Sequence, residues 1–420
     1  MKLHLFISWS IIFPNFNNQS RLTVTLALVI IALFMWHVPA AHAASLTVNT
    51  LADNTINGDG QCTLREAIYA ANYDTNFNDC IGSGAFGADT ITFSVSGTIV
   101  LGSTLPDIAD ADGLTIDGSG QKPAISGNDS VRVLNVASYS LLTLQNLAVT
   151  HGYAASGFGG GITNSGTMTI TNSTISKNKS LHGGGGIRNY TDATLTIINT
   201  TVSTNTVTGT DGSYGGGGIF SNGTLILNNS TISGNTVSTT GSSSNSASGG
   251  GICMGGGTII LNNTTIFKNS AIGSGGASSY GGGIYAIDNT TFRNTIIAGN
   301  SATHFADCYG TLNSQGYNLI QVPSCNITGD LTGNITGLSP NLAQLADNGG
   351  PTQTHALLTV SPAIDAGNPA APGSGGDACL ATDQTGFVRP VDGDVDGNAI
   401  CDIGAYELRH KYFLPLARRN

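Results

Sequence analysis

The sequence predicts an all-β fold, a right-handed parallel β-helix with three short strands per coil. Three observations carry that prediction. The first is a glycine triplet followed by isoleucine, written five times: Gly159-Gly160-Gly161-Ile162, Gly184-Gly185-Gly186-Ile187, Gly216-Gly217-Gly218-Ile219, Gly249-Gly250-Gly251-Ile252 and Gly281-Gly282-Gly283-Ile284. The isoleucines lie 25, 32, 33 and 32 residues apart, a period at which one structural unit repeats along a chain. The second is an asparagine phrase in phase with the triplets, from Asn172-Ser-Thr-Ile175-Ser-Lys-Asn178 to Asn294-Thr-Ile-Ile297-Ala-Gly-Asn300. The third is a set of short runs between the phrases, such as Thr167-Met-Thr-Ile170 and Thr224-Leu-Ile-Leu227. These alternate or are β-branched, and Gly, Asn or Ser bounds them, which are strand signals. The leucine pattern of a horseshoe is absent, and no Asp follows the triplets as a calcium-binding nonapeptide roll requires.

Residues 1–43 read as a secretory signal peptide. Arg21 precedes an apolar run from Leu22 to Val38, and Ala41-His-Ala43 offers a small-residue cleavage site, so the mature chain is expected to start near Ala44. The residues ahead of Arg21 make this leader long, and a retained membrane anchor is the other reading. No later stretch is apolar for the ~20 residues a span needs. The expectation is a secreted or cell-surface chain with no transmembrane span in its mature part.

Residues 44–90 read as a cap. A bare coil end exposes strand edges and apolar stacks. Thr63 and Glu66 are spaced as a capping box, and Leu64, Ala67, Ile68 and Ala71 give one apolar helical face. A short lid helix over the first coil follows, the one substantial helix expected after the leader.

Residues 91–325 read as the coils. Stacking sets Asn172, Asn199, Asn229, Asn263 and Asn294 in one row and Asn178, Asn205, Asn235, Asn269 and Asn300 in another. Amides at strand spacing can bond along such rows. The residues beyond the length of a plain coil, Thr206 to Tyr214, Thr236 to Ser248 and Ser270 to Tyr280, are expected as loops on one edge. Phe158, His182, Tyr214 and Tyr280 each sit four or five residues before the isoleucine of their repeat. They are the candidate binding residues, a line of rings suited to sugar faces or to partner proteins.

Residues 326–408 read as a C-terminal domain. Asp392-Gly-Asp394-Val-Asp396-Gly397-Asn398 matches the opening of a calcium loop, with carboxylates at alternating positions and a glycine at the turn. The glutamate expected at the twelfth position is replaced by Ile403, and Asp402 or Glu407 is the candidate substitute. The metal reading is therefore a structural Ca2+ on Asp392, Asp394, Asp396, Asn398 and Asp402. Residues 409–420 form a basic and apolar tail, suited to surface attachment or to a final strand.

The chain has seven cysteines. Cys62 and Cys80, Cys308 and Cys325, and Cys379 and Cys401 are spaced to close loops of about 15 to 25 residues. None of the spacings matches a zinc motif, so disulfides are expected. Cys253 is left over, directly after Ile252, as a buried apolar residue.

Composition narrows the function. Only 10% of residues are charged and 58 of 420 are glycine, against the ~25% charged and ~7% glycine of ordinary domains. The net charge is −10 and no basic stripe exists, which excludes nucleic acid as a partner. An enzyme on this scaffold needs convergent carboxylates or a base beside bound calcium. From Tyr153 to Asn300 the acids are Asp192, Asp211 and Asp288, and none recurs at one phase of the repeat. Asp107, Asp110, Asp112 and Asp117 in the upstream coils are where a catalytic cluster would have to lie.

The end motifs carry a resemblance. Cys62-Thr-Leu-Arg-Glu-Ala-Ile68 with Ala70-Ala-Asn72 resembles the CSLREA domain of secreted bacterial β-helix proteins, with Thr63 in place of the usual Ser. Gly316-Tyr-Asn-Leu-Ile320, Leu345-Ala-Asp-Asn-Gly-Gly-Pro-Thr352, Ser361-Pro-Ala-Ile-Asp-Ala-Gly367 and Cys401-Asp-Ile-Gly-Ala-Tyr-Glu407 are together similar to the choice-of-anchor Q domain. The repeats resemble those of polymorphic outer-membrane proteins, surface adhesins of pectin-lyase-like fold. The resemblance implies fold and export. It implies no reaction, because architecture defines these families. The functional expectation is a monomeric, non-catalytic protein of adhesion that binds a glycan or a cell-surface partner. A polysaccharide lyase or glycoside hydrolase, and a purely structural envelope protein, are the alternatives.

Overall fold

The computed structural model describes residues 43–210, 214–242 and 244–409, without the side chain of Asp288. The leader and the tail beyond Arg409 lie outside the described residues, as does Asp211. The described residues form one compact unit, a right-handed parallel β-helix. A representative coil runs through the strands Ile187–Asn189, Thr194–Ile198 and Thr201–Ser203. Each strand pairs in parallel with its counterparts one coil before and one coil after. Three ladders result, called first, second and third in that order. The last coil strands are Asn326–Asp330 and Ile335–Thr336, so coils continue past residue 325.

Register makes the core. Ile162, Ile187, Ile219, Ile252 and Ile284 pair in one column and are wholly buried. Ile175, Val202, Ile232, Ile266 and Ile297 do the same on the third ladder. Burying one such side chain is worth about 1.5–3 kcal/mol.

The two repeated phrases explain each other. The first glycine of each triplet has positive φ, between 57° and 66°, a conformation that glycine adopts without strain. A Cβ on the third glycine would press on the asparagine row: at Gly186 it would lie 3.0 Å from the Asn205 amide carbon and 2.8 Å from the Gly218 carbonyl oxygen. Beneath these glycines Asn178 Nδ2 donates to Asn205 Oδ1, Asn205 to Asn235, Asn235 to Asn269 and Asn269 to Asn300, at 2.9–3.0 Å. The row ends where Asn300 donates to Asp307 Oδ1 at 2.9 Å. The other row behaves differently from the expectation. Asn172, Asn199, Asn229, Asn263 and Asn294 take left-handed φ of 44° to 50° and form corners. Asn229, Asn263 and Asn294 bond to the C-terminal segment, because a corner side chain points away from the stack.

The expected edge loops are strands. Thr206–Gly209, Thr236–Thr240 and Ser270–Ser274 pair in one extra sheet, and Tyr214–Gly215, Ser246–Ser248 and Ser278–Tyr280 in another. The alternation Thr206-Val207-Thr208 and Thr236-Val237-Ser238 turns the valines inward, where they form a satellite core with Tyr214, Ala247 and Ala271. Composition rich in Ser, Thr and Gly hid a period of two.

The helix Leu64–Asn72 closes the first coil with both halves of the capping box in place. Thr63 N donates to Glu66 Oε2 at 3.0 Å, so the glutamate is a structural group. The disulfides Cys62–Cys80, Cys308–Cys325 and Cys379–Cys401 are all formed, and Cys253 is free and buried. Among the described residues no helix is long and apolar enough to cross a membrane.

The C-terminal segment folds back along the third ladder. Thr231 Oγ1 donates to Gln384 Oε1 at 2.6 Å, His355 Nε2 lies 2.8 Å from Ser233 Oγ, and Ala405 N donates to Thr265 Oγ1 at 3.0 Å. Thr352 reaches Asn199 and Asn368 reaches Asn294. The segment therefore straps the coils from Asn199 to Asn294. Its own centre is the buried pair Arg389–Glu407, 2.6 Å apart.

Candidate functional site

The four rings singled out in the sequence split into two groups. Phe158, His182 and Tyr214 follow one another along the axis, with centroids 5.7 and 5.8 Å apart. The first and third are committed to packing: Phe158 and Phe220 enclose the Arg188 guanidinium, and Tyr214, 8% exposed, sits in the satellite core. The row then breaks, because Tyr214 pairs with Ala247 in the next coil, while Tyr280 lies one position along and pairs with Ser248. Tyr280 belongs to a second cluster. It stacks on His304 at 5.3 Å and lies 5.5 Å from Tyr309.

Tyr309 stacks on Tyr285 at 4.7 Å and meets the edge of Phe305 at 5.0 Å. Tyr285 and Tyr309 occupy the position after the inward isoleucine or cysteine of the first ladder, and the outward column through Arg188, Phe220 and Cys253 leads to them. Phe305 is 41% exposed at φ 58°. A bulky residue in that region is a strained outlier, and such strain clusters at ligand sites. Burial pushes the Tyr285 hydroxyl pKa up, with Tyr309 adding to it, so the phenol stays a neutral hydrogen-bonding group.

A backbone irregularity opens the space in front of these rings. In earlier coils a turn separates the first-ladder strand from the second. In Ile284–Arg293 one strand crosses that corner, and its register with Cys308–Gln315 shifts between Ala286 and Thr290. Ile287 to Asn289 bulge outward there, as strands do beside functional sites. The partner Gly310 has φ 98°, and a Cβ there would lie 1.5 Å from Ala286 O. The bulge divides two clefts. One, about 480 Å³, is lined by Tyr285, Phe305, Tyr309, Ser324 and Asn326 among others. The other, about 510 Å³, is lined by hydroxyl and amide groups including Thr258, Asn289, Thr291 and Asn313. Ile287 and Thr311 belong to both. No described charged side chain lines either cleft.

The calcium-type loop is only partly assembled as expected. Asp392 and Asp394 come together with Asp365, their oxygens within 4.8 Å of one another. Asp396 N donates to Asp392 and Asp394, and Asn398 N donates to Asp396 Oδ1 at 2.7 Å. Asp402 is turned away, accepting from Asp365 N and Leu408 N; its backbone leads into the buried Arg389–Glu407 centre. Asp365, 27 residues upstream of Asp392, supplies the third carboxylate, and no local spacing pointed to it. Burial raises its pKa.

The upstream aspartates do not converge. Asp110 accepts from Asp112 N and Gly113 N, and Asp117 from Ser119 and Asn146. Asp107 accepts from Asn135 at 2.9 Å. Each ties its own turn or neighbour.

No protein-family model matches the chain, and no curated protein matches it. Among solved structures it is similar to the crystal structure of pectate lyase Pel9A, at 12% identity and a TM-score of 0.43, over 88% of this chain and 98% of that one. So distant a likeness says nothing about this chain's ligand or reaction.

Proposed function

We propose that this chain is a secreted or cell-surface binding protein whose ligand is a neutral oligosaccharide held in the paired clefts at the Ile287 bulge. The observation that carries the reading is the ring cluster of Tyr285, Phe305 and Tyr309 around a cleft of about 480 Å³. Aromatic faces pack against sugar C–H faces, and hydroxyl and amide groups bond sugar hydroxyls. The second cleft supplies those polar groups, so a ligand of several sugar units crosses Ile287 and Thr311 from one lobe to the other. The described side chains on both walls are uncharged, which suits a neutral ligand better than a polyuronate, whose carboxylates cost more to desolvate. The resemblance of the two ends to CSLREA and choice-of-anchor Q domains, and the three disulfides, support an extracellular place. A structural Ca2+ on Asp365, Asp392 and Asp394 belongs to the same reading.

The test is calorimetric titration with cello-, manno- and malto-oligosaccharides of one to six units, and with oligogalacturonides, followed by product analysis. Binding of a neutral series that strengthens with length is expected. Tyr309→Ala should weaken it at least tenfold with an unchanged thermal midpoint. Shortened products would favour the lyase or hydrolase reading, and no binding by any series would favour an envelope role.

A further inference from the structure

The first strand, Ser45–Val48, begins beside a carboxylate that is incompletely satisfied. Asp89 is wholly buried. Its Oδ1 accepts from Ala44 N at 3.0 Å and from Gly87 N at 3.1 Å, while its Oδ2 is buried with no partner. The main chain of Ala44 is fixed in place, since its carbonyl accepts from Thr90 N at 2.8 Å and Ser45 pairs with Thr90. Among the described residues, the charges that act on Asp89 are those of Asp110 and Asp74, both acids. The site holds a buried carboxyl, two acidic neighbours and one open acceptor. Among the described residues, no cation with several donors faces it.

Ala44 also follows the small-residue pattern Ala41-His-Ala43. We propose that the Ala43–Ala44 peptide bond is a processing site, and that the α-ammonium created at Ala44 pairs with Asp89. Hydrolysis consumes one water: the Ala43 carbonyl carbon takes the hydroxyl, and the Ala44 nitrogen takes a proton. With an ordinary pKa of about 7.7–8.0 the amine gains a further proton at neutral pH. One amide N–H thereby becomes three donors and a positive charge, enough to keep Oδ1 and to supply Oδ2. The uncleaved chain leaves Asp89 to its burial, which lifts the carboxyl to about 6; the ammonium reverses that direction. The exported protein thus locks its first strand with a group that cleavage makes. This inference is independent of the glycan reading.

The experiment uses the full chain exported with its leader. N-terminal sequencing of the product should give Ala44. Its thermal midpoint at pH 7 should lie several degrees above that of the same product carrying one extra residue ahead of Ala44, and Asp89→Asn should abolish the difference. The α-amino pKa, read from pH-dependent acylation, should be raised at least one unit above its ordinary value. A product starting at another residue, an extension without effect on the midpoint, or an α-amino group with an ordinary pKa would each overturn the proposal. The last measurement needs no variant, so it decides the matter even where Asp89→Asn fails to fold.

Discussion

At Asn235 one side chain serves three coils. It donates to Asn269 Oδ1 and Val202 O, and its own oxygen accepts from the backbone and side chain of Asn205. Asn235→Ala leaves buried donors on Asn205 without an acceptor, which should cost about 3 kcal/mol. The check is a lowered urea midpoint at constant slope. Asn172→Ala, at a half-buried corner, should cost about 1 kcal/mol, chiefly from its positive φ. His355 gives a pH dependence. Its Nδ1–H donates to Ala343 O at 2.7 Å, so the neutral ring accepts the Ser233 hydroxyl at Nε2. Burial, with Lys268 nearby, pushes its pKa down to about 4. Between about pH 6.5 and 4 the unfolded chain then binds the proton that the folded one refuses. Stability should be full above pH 6.5 and fall as pH drops toward 4, by up to about 3 kcal/mol. His355→Gln should flatten that limb in denaturation curves taken from pH 4 to 7.

At the scale of elements, legibility followed repetition. The asparagine row and the isoleucine columns were readable because each coil restates them. Two Asn rows looked alike in sequence, yet only one lies under the glycines, and the difference is in φ rather than in residue type. The bulge at Ile287 to Asn289 was unreadable for the opposite reason: it is where the repeat stops, and a single missing turn has no period. The signal that was available is Tyr285, which directly follows the fifth repeated isoleucine in the column of Arg188, Phe220 and Cys253. The carboxylate loop was half legible, since Asp392 and Asp394 are local while Asp365 arrives through the fold of the strap. If the three hold Ca2+, chelation should lower the thermal midpoint by several degrees in calorimetry, and Asp365→Asn should remove that sensitivity.

For the whole molecule, the lid helix followed from capping and the stacked coils from period, while the end of the coils beyond residue 325 and the path of residues 337–409 did not. Nothing in Gln384 or His355 announces a partner more than 100 residues upstream; only the outward side chains of Thr231 and Ser233, known once the coils are wound, offer the mates. A stack in which each coil touches its neighbours alone is quasi-one-dimensional, and its stability is a sum of nearest-neighbour terms. Bonds from Thr352 to Asn199 and from Asn368 to Asn294 cross several of those boundaries at once.

That strap has a mechanical consequence. Pulled from its two ends, an unstrapped solenoid peels coil by coil and yields a sawtooth of small ruptures. Here the coils from Asn199 to Asn294 are loaded in parallel through the strap, so they should resist together and give way in one large event. Optical-tweezer traces should show that single step, and Gln384→Ala with His355→Ala should split it into smaller ones. On the binding role proposed above, a chain displayed on a surface under flow would hold its ligand against shear until the strap lets go.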